Sequence, residues 1–269
     1  MRVVVCVKHV PDIQSARSFR EDGLLARGGE DDTLNELDED ALEAALRLVE
    51  AQPAAEGAEP HEVVVLTAGP AAAVEALRRG LAMGATSAVH VRDDAVAGSD
   101  AIATARVLAA AVRHLHAERP VDALVAGMAG LDGLTSLVPA ALAALLEWPQ
   151  LTLADEITLD GGTVRVRRET STHVEVLSAP APVVLSVTDQ AFRARFPDFK
   201  GILAARKKPV TVLGLAELGV DPATVGLAGS ATQVLEAAPR PQREDRVLVT
   251  GGAETVPALV DYLAEKGFS

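Results

Sequence analysis

Short apolar, β-branched runs alternate along this chain with Ala- and Leu-rich segments whose apolar positions recur at helical spacing. Strand Val3–Val7 precedes a polar loop and a helix from about Glu36 to Ala51. Strand Val63–Thr67, the turn Ala68-Gly69-Pro70, a helix through Met83 and a short strand at Val89–Val91 come next. A helix from about Asp100 to Leu115, strand Ala123–Ala126, the loop Gly127–Thr135 and a helix ending before Trp148 continue the alternation. Unbroken apolar strands separated by amphipathic helices predict βαβ units, because a strand covered by helices on both faces has no polar side.

After Gln150 the period changes. Ile157–Asp160, Gly161-Gly162 and Thr163–Arg167 read as a hairpin with alternating exposed arginines, and Val174–Ser178 and Val183–Val187 as further strands. The predicted fold class is α/β: a mostly parallel, doubly wound sheet with helices on both faces and antiparallel hairpin additions at its edge. Pro239 and Pro241 mark a linker and Glu254–Lys266 a terminal helix. The chain thus divides into an α/β domain over residues 1–225 and a C-terminal linker and arm over residues 226–269.

Composition narrows the function classes. A chain of 269 residues, 49% hydrophobic, can bury one large core, and with 3% aromatic residues that core is filled by Ala, Val and Leu. The single cysteine, Cys6, lies inside the first strand, so there is no disulfide framework or cysteine metal site, and a cytoplasmic location is the simplest reading. The first apolar run is too short for a signal peptide or a membrane span, so the chain is read as not membrane-embedded. A formal net charge of −13 argues against nucleic acid, whose binding depends on Lys and Arg neutralising phosphates. One segment runs against that charge: Arg193, Arg195, Lys200, Arg206, Lys207 and Lys208 face a single acid, Asp198. Its plain reading is a solvated basic loop. Three of the five Phe residues, Phe192, Phe196 and Phe199, fall in the same stretch, however, and exposed aromatics ringed by cations match an interaction hot spot.

Three loops leave the carboxyl ends of predicted parallel strands, at Lys8–Asp12, Ala68–Pro70 and Gly127–Ser136, and that edge is where open α/β sheets bind ligands. In Leu131-Asp132-Gly133-Leu134-Thr135-Ser136, glycine permits close backbone approach, and Thr135 and Ser136 place hydroxyls at a helix N-terminus suited to a phosphate. An ordinary capped turn is the alternative. Asn35, ahead of Glu36, Asp38, Glu39 and Asp40, reads as a helix N-cap with acids in the first turn. Cys6 reads as a small core residue, His9 as a residue just past strand one within reach of a ligand, and His114 and His116 as surface residues. Neither a GxGxxG fingerprint nor a P-loop is present, no histidine has metal-ligand spacing, and no nucleophile, base and oxyanion donor assemble from neighbouring motifs. The chain reads as a binder, not an enzyme.

Several strings, in order, resemble the β (small) subunit of electron transfer flavoproteins. They are Val7-Lys8-His9-Val10-Pro11-Asp12, Leu34-Asn35-Glu36-Leu37-Asp38, Leu66-Thr67-Ala68-Gly69-Pro70, Ala82-Met83-Gly84-Ala85, Gly127–Gly133, Trp148-Pro149-Gln150, and Arg195-Phe196-Pro197 leading to Arg206-Lys207-Lys208. The resemblance covers roughly residues 1–220 and implies an adenine-nucleotide-hydrolase-like fold without hydrolase activity, holding one AMP. By the same resemblance AMP contacts Cys6, Asn35, Glu36, Leu37, Asp38, Ala68, and the stretch Gly127, Met128, Ala129, Gly130, Leu131, Asp132, Gly133, Leu134, Thr135, Ser136, Leu137 and Val138. The resemblance further implies that FAD is held mainly by the α subunit, with Val10–Ile13 of this chain near the isoalloxazine. Ala191–Lys208 resembles the family's partner-recognition loop, with Phe199 at the apolar anchor position and Phe196, Lys200 and Ile202 beside it; Phe192-Arg193-Ala194 stands where the family commonly has Asn-Glu-Pro.

The resemblance implies a heterodimer with an α subunit, on which the C-terminal arm packs, carrying electrons from acyl-CoA and related dehydrogenases, as in fatty acid oxidation, to a membrane quinone reductase. Two other readings remain. In an electron-bifurcating relative this subunit binds a second FAD in place of AMP; there an acid more often follows the Asp-Gly pair, where Leu134 stands here. A stand-alone universal-stress-type ATP-binding module would need neither an α partner nor flavin.

Overall fold

The computed structural model describes residues 1–53, 57, 59–238, 240–241, 248–253 and 255–268. The chain separates into a unit of Met1–Leu235 and a second of Glu236–Ser269. The first unit opens with β1 (Arg2–Cys6), the ribbon strands β2 (His9–Pro11) and β3 (Asp32–Leu34), α1 (Glu36–Glu50), β4 (Glu62–Ala68), α2 (Val74–Met83) and β5 (Ser87–Val91). It continues through α3 (Ala101–Glu118), β6 (Ala123–Gly127), α4 (Val138–Leu146), β7 (Gln150–Ala154), β8 (Glu156–Asp160), β9 (Thr163–Glu169), β10 (Val174–Pro180) and β11 (Val183–Val187). It closes with α5 (Phe199–Ala205), β12 (Val210–Leu213) and the single turn α6 (Gly226–Gly229), and the second unit holds α7 (Thr255–Glu265).

Seven strands form one sheet in the order β12-β5-β4-β1-β6-β11-β7. Every neighbouring pair in it is parallel. Such a sheet must be covered on both faces, and the side chains alternate accordingly. Val3 and Val5 meet Leu42, Ala45, Leu77 and Leu81 of α1 and α2, whereas Val4 and Cys6 meet Val107, Ala111, Leu142 and Leu146 of α3 and α4. The doubly wound architecture expected from the sequence is present. One detail differs: the antiparallel strands form a separate sheet, β10-β9-β8, instead of an edge of the parallel one. Val164, Val166 and Ala179 of that small sheet join the core on the α1/α2 side, which keeps the arginine alternation on the outer face of β9, while β10 exposes Val174 and Val176.

The chain runs from β1 to β4 in one direction and returns on the other side of β1 with β6. The strand order therefore reverses between β1 and β6, and a crevice opens outside their carboxyl ends. In the second unit Val256, Leu259, Val260 and Leu263 of α7 are exposed. Pro239 and Glu254, which bound the expected linker and terminal helix, lie outside the described residues.

Candidate functional site

The reversal point is held together by α1, whose first turn carries two buried polar side chains. Asp38 accepts hydrogen bonds from the Lys8 amide (2.9 Å) and the Gly127 amide (3.3 Å), joining the ends of β1 and β6. Asn35 is 0% exposed; its amide donates to the Ala129 carbonyl (2.9 Å) and accepts from the Leu131 amide (3.0 Å). This corrects the sequence reading of Asn35: it stands at the N-cap position but makes no side-chain cap bond. A buried amide needs both a donor and an acceptor partner, and the glycine loop supplies both, whereas a cap would satisfy only one.

Gly127 shows why glycine ends β6, since a Cβ there would stand 2.6 Å from the Leu37 carbonyl oxygen and 2.7 Å from Asp38 Oδ1. The backbone of β6 thus rests directly on the start of α1. Beyond it, the fully buried carboxylate of Asp132 is clamped by Lys8 Nζ (2.8 Å) and by Arg27 Nε (2.9 Å). Burial alone would push the Asp132 carboxyl up, but the two cations hold it below the usual carboxylate range. Neither Lys8 nor Arg27 stood out in the sequence as a partner of the glycine loop. Lys8 at least lies at the end of a strand; Arg27 sits in a featureless polar loop 105 residues from its acid.

The loop from Leu134 to Leu137 is exposed, and Leu134 and Ser136 hold left-handed backbone at φ 50° and 49°. Thr135 and Ser136 do not begin the helix, as the sequence led us to expect. The helix α4 starts at Val138, its N-cap is Leu137, and no side chain caps it. The two residues with hydroxyls are exposed just ahead of an uncapped helix start next to the reversal point, an arrangement that fits an anionic group. Cys6, Asn35–Asp38, Ala68 and Gly127–Val138 all fall on this edge, at the carboxyl ends of β1, β4 and β6 or the start of α1. The Cys6 thiol is pushed up to about 12, mainly by burial and then by the nearby Asp38, so it stays protonated and is no nucleophile. Ile13 is exposed in the long loop between β2 and β3. A cavity of about 490 Å³ on the flank of α3, lined by Arg106, Arg113, His114 and the 218–221 turn, holds none of these residues. His116 is no plain surface residue either, since its ring packs 5.4 Å from Trp148 and its Nδ1 accepts from the Val121 amide.

Burial pushes the Asp38 carboxyl up to about 7, against the hydrogen bonds that favour its charged form. The folded chain therefore binds a proton that the unfolded chain, with an ordinary carboxyl near 3.8, has already released. The stability this group contributes is full below the unfolded value and is lost as pH rises through the folded one. We expect the melting temperature of Asp38→Asn, relative to the native chain, to climb between about pH 4 and pH 7 and then level off. A difference that stays constant across that window would show that Asp38 does not titrate in this way.

The residues expected to meet a partner protein lie elsewhere. The helix α5 begins at an Asp198 cap (Oδ1 to the Gly201 amide, 2.6 Å) and rests on the end of α2, where a Cβ on Gly201 would stand 2.6 Å from the Ala82 carbonyl. Lys208 Nζ donates to the Leu81 carbonyl (3.0 Å) and to that of Ala85, and Arg78 donates to the carbonyls of Ala205 and Lys208. The end of α2 leads into the start of β5, so α5 sits at the amino edge of the parallel sheet, opposite the reversal point. Phe196 and Phe199 are 80% and 77% exposed, and Lys200, Ile202 and Leu203 are exposed beside them. Phe192 is different, for it is half-buried against the α1/α2 core with the Arg47 guanidinium 5.3 Å from its ring centroid. The cluster of three exposed rings expected from the sequence is therefore two rings and one tucked in.

Among the described residues no helix is long and apolar enough to cross a membrane, and no group of three or more His, Cys, Asp or Glu could hold a metal ion. The electron transfer flavoprotein domain family matches residues 22–218. The electron transfer flavoprotein subunit beta of Mycobacterium tuberculosis (strain ATCC 25618 / H37Rv) is 42% identical over 262 residues, covering 97% of both chains. That of Megasphaera elsdenii is 33% identical over 269 residues, 99% of this chain and 97% of its own. The caffeyl-CoA reductase-Etf complex subunit CarD of Acetobacterium woodii is also 33% identical, over 268 residues and 99% of both chains.

Proposed function

This chain belongs to the electron transfer flavoprotein family as a β subunit, and from that premise we propose that it binds AMP at the β1/β6 reversal point and carries electrons only as half of an α–β heterodimer. The observation that carries the nucleotide reading is the uncapped start of α4 beside the exposed hydroxyls of Thr135 and Ser136. In this reading the amides, hydroxyls and helix dipole at the start of α4 receive a phosphate, and Asn35, Asp38 and Asp132 fix the loops around them. The fold supports the same edge.

FAD, held mainly by the α subunit, supplies the redox chemistry when bound. This chain's part is to position it: Val10–Ile13 lead from β1 into an exposed loop whose Ile13 side chain offers an apolar contact for the flavin ring. Phe196, Phe199, Lys200 and Ile202 form an apolar patch with a cationic rim, suited to an acidic pocket on an acyl-CoA or related dehydrogenase. Electrons leave from the same heterodimer to a membrane quinone reductase.

Acid extraction of the purified heterodimer, followed by chromatography, should release about one AMP per β chain, as for a single-site nucleotide fold. Leu134, standing where an acid would favour a second flavin, supports AMP over FAD at this site. Two FAD per heterodimer and no AMP would replace this reading with the bifurcating one, and a β chain free of any nucleotide would remove the site.

A further inference from the structure

Of the six cations between Arg193 and Lys208, Arg193, Lys200, Arg206 and Lys207 are exposed and make no ion pair among the described residues. Arg195 is engaged along its whole length. Its Nε donates to Glu43 Oε2 at 2.7 Å and its terminal nitrogens reach Glu43 Oε1 at 3.2 Å and the two Glu50 oxygens at 2.6 and 3.0 Å. Its backbone amide also donates to Glu43, at 3.2 Å. The Glu43 side chain is 2% exposed and takes a second cation, Arg47 Nε, at 2.6 Å. Burial would raise the Glu43 carboxyl, but the hydrogen bonds from Arg195 and Arg47 outweigh it and keep it charged, below the usual carboxylate range.

The arrangement sorts the three aromatic rings. Arg47, held by Glu43, lies over Phe192 and keeps that ring inside; three residues later Arg195 is fastened to α1; the next residue, Phe196, is exposed. We infer that Arg195 is a positioning residue for partner docking, clamping residues 191–199 onto α1 so that Phe196 and Phe199 are presented in one fixed arrangement. The inference rests on the docking reading of this loop. Its physical basis is preorganisation: a loop already ordered in the free carrier does not pay for its ordering when the partner arrives. Arginine is required because two carboxylates two turns apart on α1, Glu43 and Glu50, are bridged by one planar fork, which the single point charge of a lysine cannot span.

The test uses the intact heterodimer with its flavin, an acyl-CoA dehydrogenase and its acyl-CoA substrate, and trypsin as a probe of the loop. Arg195→Gln should raise the KM for the carrier about tenfold, the scale of a few side chains that must now be ordered on binding. The kcat at saturating carrier and the rate of dithionite reduction should stay unchanged, and cleavage after Arg193, the exposed cation inside the clamped segment, should speed up by a similar factor. Arg195→Lys should not restore the KM. Glu50→Gln, which leaves the buried Glu43 pair in place, should give the same split at smaller size, and it decides the matter if Arg195→Gln fails to fold. If Phe199→Ala raises the KM and the Arg195 and Glu50 variants do not, the clamp inference falls alone. If none of the three changes reduction, the docking reading falls and the clamp with it. A fall in kcat with KM unchanged would likewise overturn the inference.

Discussion

Replacing Phe199 by alanine is expected to slow reduction by acyl-CoA dehydrogenases by roughly thirtyfold or more at limiting carrier, the equivalent of about 2 kcal/mol lost from a hot-spot anchor. The size follows from where the ring stands. It is 77% exposed at the first position of α5, so it has little packing to lose in the free protein. The helix beneath it is held by the Asp198 cap, by the close seat of Gly201 on Ala82 and by Lys208, none of which involves the ring. Melting temperature and dithionite reduction of the flavin should therefore remain near those of the native heterodimer. Phe192→Ala provides the contrast: that ring is half-buried on the core, and its loss should lower the melting temperature. If Phe199→Ala destabilises the protein and leaves every dehydrogenase-driven rate unchanged, the ring is structural and the partner surface lies elsewhere.

Deleting residues 239–269 should abolish assembly with the α subunit while leaving the parallel sheet folded. Val256, Leu259, Val260 and Leu263 recur on α7 at the spacing of one helix face, and all four are exposed. Burying such side chains stabilises by roughly 1.5–3 kcal/mol each, so a partner that covers the stripe gains several kcal/mol. Tyr262 and Phe268, also exposed, add to the apolar surface. The first unit keeps both of its core clusters, since every residue in them precedes Glu236. Size-exclusion chromatography of co-expressed chains should show the truncated β chain alone, with an unchanged far-ultraviolet spectrum per residue in its folded part. Normal heterodimer from the truncated chain would mean that the arm contributes nothing to assembly.

The strands that meet at the reversal point were legible because they are buried on both faces, and α1 because its apolar positions recur at helical spacing. Expected Val3–Val7, Glu36–Ala51 and Ala123–Ala126 became Arg2–Cys6, Glu36–Glu50 and Ala123–Gly127, shifts within the fraying of element ends. The outer strands of the parallel sheet were not. Gln150–Ala154 and Val210–Leu213 have exposed and buried positions mixed, and as edge strands they lack the continuous apolar run that marks the inner ones. The helix α5 was read only as part of a basic loop, since Gly201 lowers its propensity and its seat on α2 is a tertiary fact. The strand-end residues of the site could be named from the sequence, but their wiring could not. Asn35 looked like a cap because its chain neighbours are helical, while its actual partners, Ala129 and Leu131, are reached only through the fold. Glu43 carried a usable signal, an acid on the buried face of α1 among Ala41, Leu42, Ala44 and Ala45, which calls for a cation from elsewhere in the chain.

The central place of β1 in the sheet sets a constraint on how the chain is made. β1 is synthesised before both of the strands it pairs with, one beginning at Glu62 and the other at Ala123, and β11 must then enter between β6 and β7. At translation rates of about 5–20 residues per second, β1 waits on the order of ten seconds for its second partner. During that time Val3, Val4 and Val5 present an open, apolar edge, with Arg2 as the one charge in the strand to discourage pairing with another nascent chain. Sheets closed by such long-range parallel pairings fold slowly compared with helical bundles. The yield of native subunit in a cell should thus depend on how well the emerging N-terminal third is kept apart from its copies, and high-level expression should favour inclusion bodies over any fault in the finished fold.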